Sequence, residues 1–386
     1  MELVRKLRTR VAEDRPIAVG IVGCGQMGSG LAHTLNRIEG MAIRAIADVD
    51  PQRGIDVFTE MGYAKDDILV TDRLSLANDA IASGKRVVTA DALILPALDG
   101  IEANVEATGL PDIGALVAWT SVNNRKPVIM LNVETDITVG LLLNDLARRN
   151  NTVYTVASGD EPGVLKTLWE QAKLMGFEVV CLGKGKNNTI NYGANEDTAR
   201  EEATSKGMNP KILAAFQDGT KTMVELAAVS NATGVFAVVH ADEPRIRTDM
   251  KFITGSDGPY YLQLRPYHLC DLETPQSVAE AVLLGERTIT SSGVAVSEVV
   301  CVAKRDLRVG QKVEGIGGRD WYGTIMKRAE AVAQNAVPIG IGAGGTVTRA
   351  VKRGEVISLD AFDPDRNTFV YRLREIQESL AAAGGL

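Results

Sequence analysis

At 386 residues the chain is longer than one hydrophobic core usually organises, so two or three domains are expected. Hydrophobic residues make up 45% and charged residues 24%, the balance of a globular chain, and no apolar run reaches the length of a membrane span. A formal net charge of -7 without a basic run excludes the footprint of a nucleic-acid or anionic-membrane binder, and leaves a small molecule as the expected partner.

In chain order, Leu3, Leu7 and Val11 recur at helical spacing in a basic N-terminal stretch that has no apolar core and cleavage site of the secretory kind. The residues from Ile17 to Val22 are mostly apolar and β-branched, a glycine-rich turn follows, and Leu31, Ala32 and Leu35 open a helical period. Residues 41–47 read as a second strand. Residues 104–106 read as the end of another, opening into a loop at Thr108 and Gly109. Strands at 128–131 and 153–157 flank a helix at 138–149. Such alternation predicts an α/β doubly wound parallel sheet, a Rossmann domain, over residues 1–157. Past Ser158, glycine and asparagine clusters at 183–193 and an apolar run at 235–239 predict an α+β catalytic domain over 158–300. In 301–386, the segments 303–313 (AKRDLRVGQKV) and 348–356 (TRAVKRGEV) form a weak repeat around the glycines of 340–345. They predict two hairpin-like copies in a small β-rich module, followed by a helical tail from Asp365. The four cysteines, Cys24, Cys181, Cys270 and Cys301, form no CxxC pair, so neither a zinc ribbon nor a disulfide scaffold is expected, and a cytoplasmic setting is.

The segment VGIVGCGQMGSGL (19–31) matches the dinucleotide fingerprint between a strand and a helix. Gly23 is expected to allow the tight turn, Gly25 the approach of the diphosphate, and Gly28 the packing of helix on strand. Gln26 and Met27 open the helix whose N-terminus would face the phosphates. Asp48, twenty residues after Gly28, is expected to accept hydrogen bonds from the adenosine ribose and to repel a 2'-phosphate, which favours NAD over NADP. Arg53 is near enough in sequence to reach such a phosphate, or is a solvated helix arginine. Thr108 and Gly109, in EATGLP (106–111), would border the nicotinamide.

Four further segments, GDEPGV (159–164), GKGKNNTINY (183–192), FQDGTKTMVE (216–225) and RPYHLCDLETPQS (265–277), join the fingerprint in a resemblance. The chain resembles the homoserine-dehydrogenase-like oxidoreductases, and among them the deoxyxylulose-phosphate reductoisomerase-like branch with its C-terminal SAF module. The likeness runs over nearly the whole chain. It implies an NAD(P)-dependent oxidoreductase acting on a CH-OH group, assembled as a homodimer or homotetramer. Residues 130–136 (MLNVETD) depart from homoserine dehydrogenases, which carry a lysine there, so homoserine is not the expected substrate.

The resemblance makes Lys221 the counterpart of a catalytic lysine and Asp218 that of its orienting aspartate. If 218–225 is helical, Asp218, Lys221 and Glu225 share one face. Lys221 would then act as a base, or, with Glu225 close, as a charged group polarising the substrate oxygen; a solvated salt bridge is the plainer alternative. Asp160 and Glu161, in a Gly-Asp-Glu-Pro-Gly turn, would bind substrate hydroxyls or, with Glu134, a divalent metal; alternatively they cap the helix that follows. Lys184, Lys186, Asn187 and Asn188 form a donor-rich loop suited to a phosphate or carboxylate, or an exposed turn. Arg265 and His268 are expected at the substrate, while His33 and His240 have structural settings. Three functions stay open: a dehydrogenase for a polyol, sugar acid or sugar phosphate; a reductoisomerase for deoxyxylulose phosphate, which would need a divalent metal and prefer NADPH; and a non-catalytic NAD-binding sensor.

Overall fold

The computed structural model describes residues 2–186, 188–235, 238–241, 262–291 and 293–386. Contacts divide the chain into two compact units. One comprises Met1–Asp160, Leu269–Gly293 and Arg366–Leu386; the other comprises Glu161–His268 and Val294–Asp365. The passage from the Rossmann part to the next is expected after residue 157, and lies at Asp160. The segment 269–293 and the C-terminal helix belong to the first unit, instead of to a second and a third domain.

The first unit is built on strands β1 (Ile17–Val22), β2 (Met41–Ala47), β3 (Ile68–Val70), β4 (Arg86–Thr89), β5 (Ala103–Glu106), β6 (Val128–Met130) and β7 (Tyr154–Val156). They form one sheet in the order β3-β4-β2-β1-β5-β6-β7, with the β1–β2 and β1–β5 pairs parallel, like the others. All six residues of β1 are buried, as a central parallel strand covered on both faces requires. Helix α1 (Glu2–Ala12) precedes the sheet, and the helices between its strands are α2 (Gln26–Arg37), α3 (Pro51–Glu60), α4 (Leu74–Ala82), α5 (Ile94–Ala97), α6 (Pro111–Asn123) and α7 (Val133–Arg149). Ile17, Val19 and Ile21 pack with Leu31 and Leu35 of α2 and with Val278 and Ala279 of the helix Cys270–Leu283 on one face. Ala45, Ala47, Val87 and Leu95 form the core of the other. From β1 the chain lays down β2 on one side, places β3 at that edge and returns to insert β4 between β3 and β2, and then crosses to lay down β5, β6 and β7 in turn on the other side. The strand order therefore reverses beside β1, and the crevice beyond the carboxyl ends of β1 and β5 is where this topology places a ligand.

The helix Phe369–Ala382 is pinned to α6 and α7. Val370 N-H donates to Asp112 Oδ1 at 2.8 Å, and Gln377 bridges Leu142 N-H (3.1 Å) and Thr138 O (3.1 Å).

The second unit contains α8 (Glu161–Leu174), β8 (Leu182–Gly185), α9 (Glu196–Ser205), α10 (Pro210–Gln217), α11 (Thr220–Thr233) and β9 (Val238–Ala241), with β8 and β9 parallel. Strands β10 (Ser297–Ala303) and β11 (Trp321–Lys327) pair antiparallel in the remainder. The two repeat segments are not separate hairpins; they pair with each other. The equivalent residues Leu307 and Val351 exchange both backbone hydrogen bonds, at 2.8 and 3.2 Å. Gly310 N-H reaches Val347 O as Gly354 N-H reaches Ala303 O, each at 2.8 Å, so the pairing has local two-fold symmetry.

Candidate functional site

In the first unit the fingerprint takes the shape its glycines require. Gly23 adopts φ +90, and a Cβ there would lie 2.9 Å from the backbone of Ala107 and Thr108, so the turn leans on the loop after β5. A Cβ on Gly28 would lie 1.9 Å from Gly23 O, while a Cβ on Gly25 would meet nothing within 4 Å. Two of the three glycines thus serve packing, and Gly25 faces open space at the start of α2, beside the exposed Gln26 and Met27. The first-turn N-H groups of α2 lack helix partners and carry the positive end of its dipole, which suits a diphosphate.

Asp48 is buried and does more than its sequence position implies. Its Oδ2 accepts Cys24 N-H of the fingerprint turn at 2.7 Å, and its Oδ1 accepts Asp50 N-H at 2.9 Å. Arg53, on α3 and half exposed, has a guanidinium nitrogen 3.9 Å from Asp48 Oδ1 and another 3.7 Å from Asp50 Oδ2.

The loop carrying Thr108 and Gly109 is anchored by Glu106, a residue outside the set expected at the site. Glu106 Oε1 accepts the Thr108 N-H at 2.9 Å and the Thr108 hydroxyl. Gly109 takes φ +68. Burial pushes the Glu106 carboxyl up to about 7, although Thr108 and the Asn132 side chain pull the other way. The buried Asp136 is likewise pushed up to about 7, and Glu134 lies buried in the first turn of α7, adding to the Glu106 shift by its charge. An acid whose folded pKa exceeds its unfolded value binds its proton more tightly in the fold. The stability it contributes is complete below 4.5, the ordinary value, and is lost as pH rises through about 7. We therefore expect the urea midpoint to fall between pH 5 and pH 8, and Glu106→Gln to remove about 3 kcal/mol of that fall. An unchanged pH dependence in the variant would show that Glu106 is ionised in the fold at little cost.

In the second unit, α8 begins at Glu161 with Pro162 in its first turn, where a missing N-H costs nothing. Asp160 is the last residue of the first unit, 9% exposed, with Cys270 Sγ 3.7 Å from its Oδ1. Gly219, at φ +88, makes the left-handed step that separates α10 from α11. Lys221 and Glu225 therefore lie one turn apart on α11, whereas Asp218 closes α10 and does not share their face. Asp218 is fully buried: its Oδ1 accepts Thr220 N-H at 2.9 Å and its Oδ2 lies 2.8 Å from Lys304 Nζ. Lys304 Nζ also donates to Ala194 O at 2.5 Å and Gly318 O at 2.7 Å, so the pair braces the fold around α10.

Lys184 is expected in an open phosphate loop, but it sits on β8, with its ammonium bonded to both Glu161 Oε1 and Glu225 Oε2. The two carboxylates come within 4.8 Å of each other, and His268 Nε2 lies 3.3 Å from Glu161 Oε1. Burial pushes Glu225 up to about 7; Glu161 adds to this and Lys184 and Lys221 oppose it. Burial draws Lys184 down, but the charges of Glu225 and Glu161 outweigh it and hold the ammonium above its usual range. Lys186 reaches the Phe216 carbonyl, Asn188 donates to Thr189 O, and Arg265 stacks 4.6 Å over the Tyr267 ring. Asn187 lies outside the described residues. The structure thus joins Glu161, Lys184 and His268 from the expected set and adds Glu225 to them. The only signal for Glu225 in the sequence is its spacing from Lys221.

Residues 159–235 and 232–274 match the family described as "Oxidoreductase DRL, catalytic domain". No curated protein matches the chain. Among solved structures, a 1-deoxy-D-xylulose 5-phosphate reductoisomerase from Zymomonas mobilis in complex with NADPH is similar at 17% identity and a TM-score of 0.41, over 57% of this chain and 59% of that one. A probable dehydrogenase from Thermotoga maritima is similar at 13% identity and TM-score 0.33, over 53% and 55% of the two chains. A scyllo-inositol dehydrogenase from Lactobacillus casei with bound NAD(H) and scyllo-inositol is similar at 16% identity and TM-score 0.32, over 50% and 49%. The chain thus spans less than two thirds of the length of each of these structures.

Proposed function

We propose that the chain is an NAD(P)-dependent oxidoreductase acting on a CH-OH group of a small hydroxylated, optionally phosphorylated substrate. The observation that carries this reading is the fingerprint geometry: Gly23 and Gly28 are locked by packing while Gly25 faces open space at a helix N-terminus. The match of 159–274 to an oxidoreductase catalytic domain supports it independently. A bound nicotinamide supplies the hydride acceptor or donor; all else falls to the chain's own groups. The amides at the start of α2 hold the diphosphate. Asp48, each of whose oxygens holds one N-H and has a lone pair to spare, accepts a ribose hydroxyl, and its charge favours NAD over NADP.

Lys221, half-buried in the first turn of α11, holds the substrate oxygen and moves its proton, and His268 and Arg265 contact the substrate. Replacing Lys221 with Ala is expected to lower turnover at least about 100-fold while NADH binding stays unchanged. A screen of four- and five-carbon polyols, their acids and their phosphates, with either nucleotide, supplies the assay. Wild-type turnover in the variant would remove Lys221 from the chemistry. Isomerisation ahead of reduction is the second reading, favoured by the paired carboxylates of Glu161 and Glu225, whose oxygen ligands are of the kind a divalent ion takes. With Lys184 seated between them, however, the pair does not fit such an ion, and no step is assigned to one. The two-fold pairing of Leu307 with Val351 supports reading the end of the second unit as an SAF-like module. We further propose a homodimer or homotetramer in the cytoplasm; Leu174, Met175 and Phe177, exposed at the end of α8, are candidates for its contact, which light scattering tests.

A further inference from the structure

We propose that Lys184 is the resident counter-cation of the Glu161–Glu225 pair and that it closes this pair to divalent metal ions. Two carboxylates this close and this shielded from water cannot both stay ionised without a cation between them. The fold supplies one from a separate element. Lys184 projects from β8, while Glu161 opens α8 and Glu225 lies on the second turn of α11, so three elements converge on one ammonium group. That group bonds one oxygen of each carboxylate, so the oxygens that would hold a divalent ion are already engaged. An ion entering there would meet a positive charge already in place. Lys221 adds a second within electrostatic reach of Glu225. Asp160, joined to Glu161 by one peptide bond, also has a carboxylate oxygen within 4.8 Å of that of Glu161, so the cluster's need for a resident cation is greater still.

A lysine differs from a metal in what it offers a substrate. An ammonium donates hydrogen bonds, binds no water as a nucleophile, and remains attached when chelators are added. An oxygen arriving at this cluster would be met by N-H donors, which suits hydride transfer at an alcohol carbon. The inference does not depend on the oxidoreductase reading, because its readout is ion binding rather than turnover.

The test is Mn2+ binding to the full chain, measured by calorimetry and by the shift in melting temperature. The wild type is expected to bind no Mn2+ tighter than millimolar and to show no shift. Lys184→Met is expected to bind Mn2+ at least about 100-fold more tightly, with a raised melting temperature. Lys184→Met combined with Glu225→Gln is expected to lose that gain. Micromolar binding by the wild type that disappears in Glu161→Gln would overturn the proposal, and this arm decides even if Lys184→Met does not fold. A folded Lys184→Met protein that binds no better than the wild type would overturn it equally.

Discussion

Gly28→Ala is expected to abolish detectable NADH binding and to lower the melting temperature, whereas Gly25→Ala is expected to weaken binding with stability nearly intact. The contrast follows from where each new methyl group would go. At Gly28 it would sit 1.9 Å from the carbonyl oxygen of Gly23, which is backbone and has no rotamer to give. Gly23 cannot yield either, because its own Cβ position is 2.9 Å from the backbone of Ala107 and Thr108 and its φ is +90. Relief therefore requires α2 to move off β1, which opens the packing of Leu31 and Leu35 against Ile17, Val19 and Ile21. At Gly25 a methyl group meets nothing within 4 Å, and the backbone there, at φ -72, accepts any residue. The loss of a glycine cap costs less than about 1 kcal/mol. The added methyl instead stands where a diphosphate would approach, and a fall of at least about 10-fold in affinity by calorimetry is the expected reading. Wild-type NADH affinity in Gly25→Ala would mean that no nucleotide diphosphate rests on this loop.

Asp218→Ala is expected to cost about 3 to 5 kcal/mol of stability, the usual penalty for leaving a buried charge without its partner. Lys304 would be that charge, because its remaining partners are the neutral carbonyls of Ala194 and Gly318. Urea denaturation measures the loss. Replacing both residues with apolar ones of similar volume, Asp218→Leu with Lys304→Met, is expected to recover most of it, since a buried pair contributes little net stability. The same experiment separates two roles for Asp218. An aspartate that orients the catalytic group would lose turnover at unchanged stability, and that result would restore the catalytic role its sequence context implies.

Much of the first unit is legible in the sequence. The bounds of β1 and β2 agree with the apolar runs that predict them, because buried parallel strands are short apolar runs between turn residues, a local signal. Helix α7 starts at Val133, earlier than the 138 that its apolar period predicts. Its first turn carries Glu134, Thr135 and Asp136, all buried, and hydrophobic periodicity cannot register a buried polar turn. The N-terminal signal is Asn132, whose side chain accepts Thr135 N-H at 3.2 Å. In the second unit the repeat is visible in the sequence, but its meaning is not. Similarity of 303–313 to 348–356 is equally compatible with two hairpins and with two strands paired about a local axis, and only the Leu307–Val351 pairing chooses.

By itself the sequence determined the parts whose physics is local: strand and helix periods, and the glycines that a left-handed turn and a close helix-strand approach demand. The tertiary structure alone decided which charges meet. Lys184 joins Glu161 and Glu225 across 23 and 41 residues, and Lys304 takes Asp218 away from the lysine beside it in sequence. The reason is that an ionic contact depends on distance through space and on burial, and spacing along the chain specifies neither.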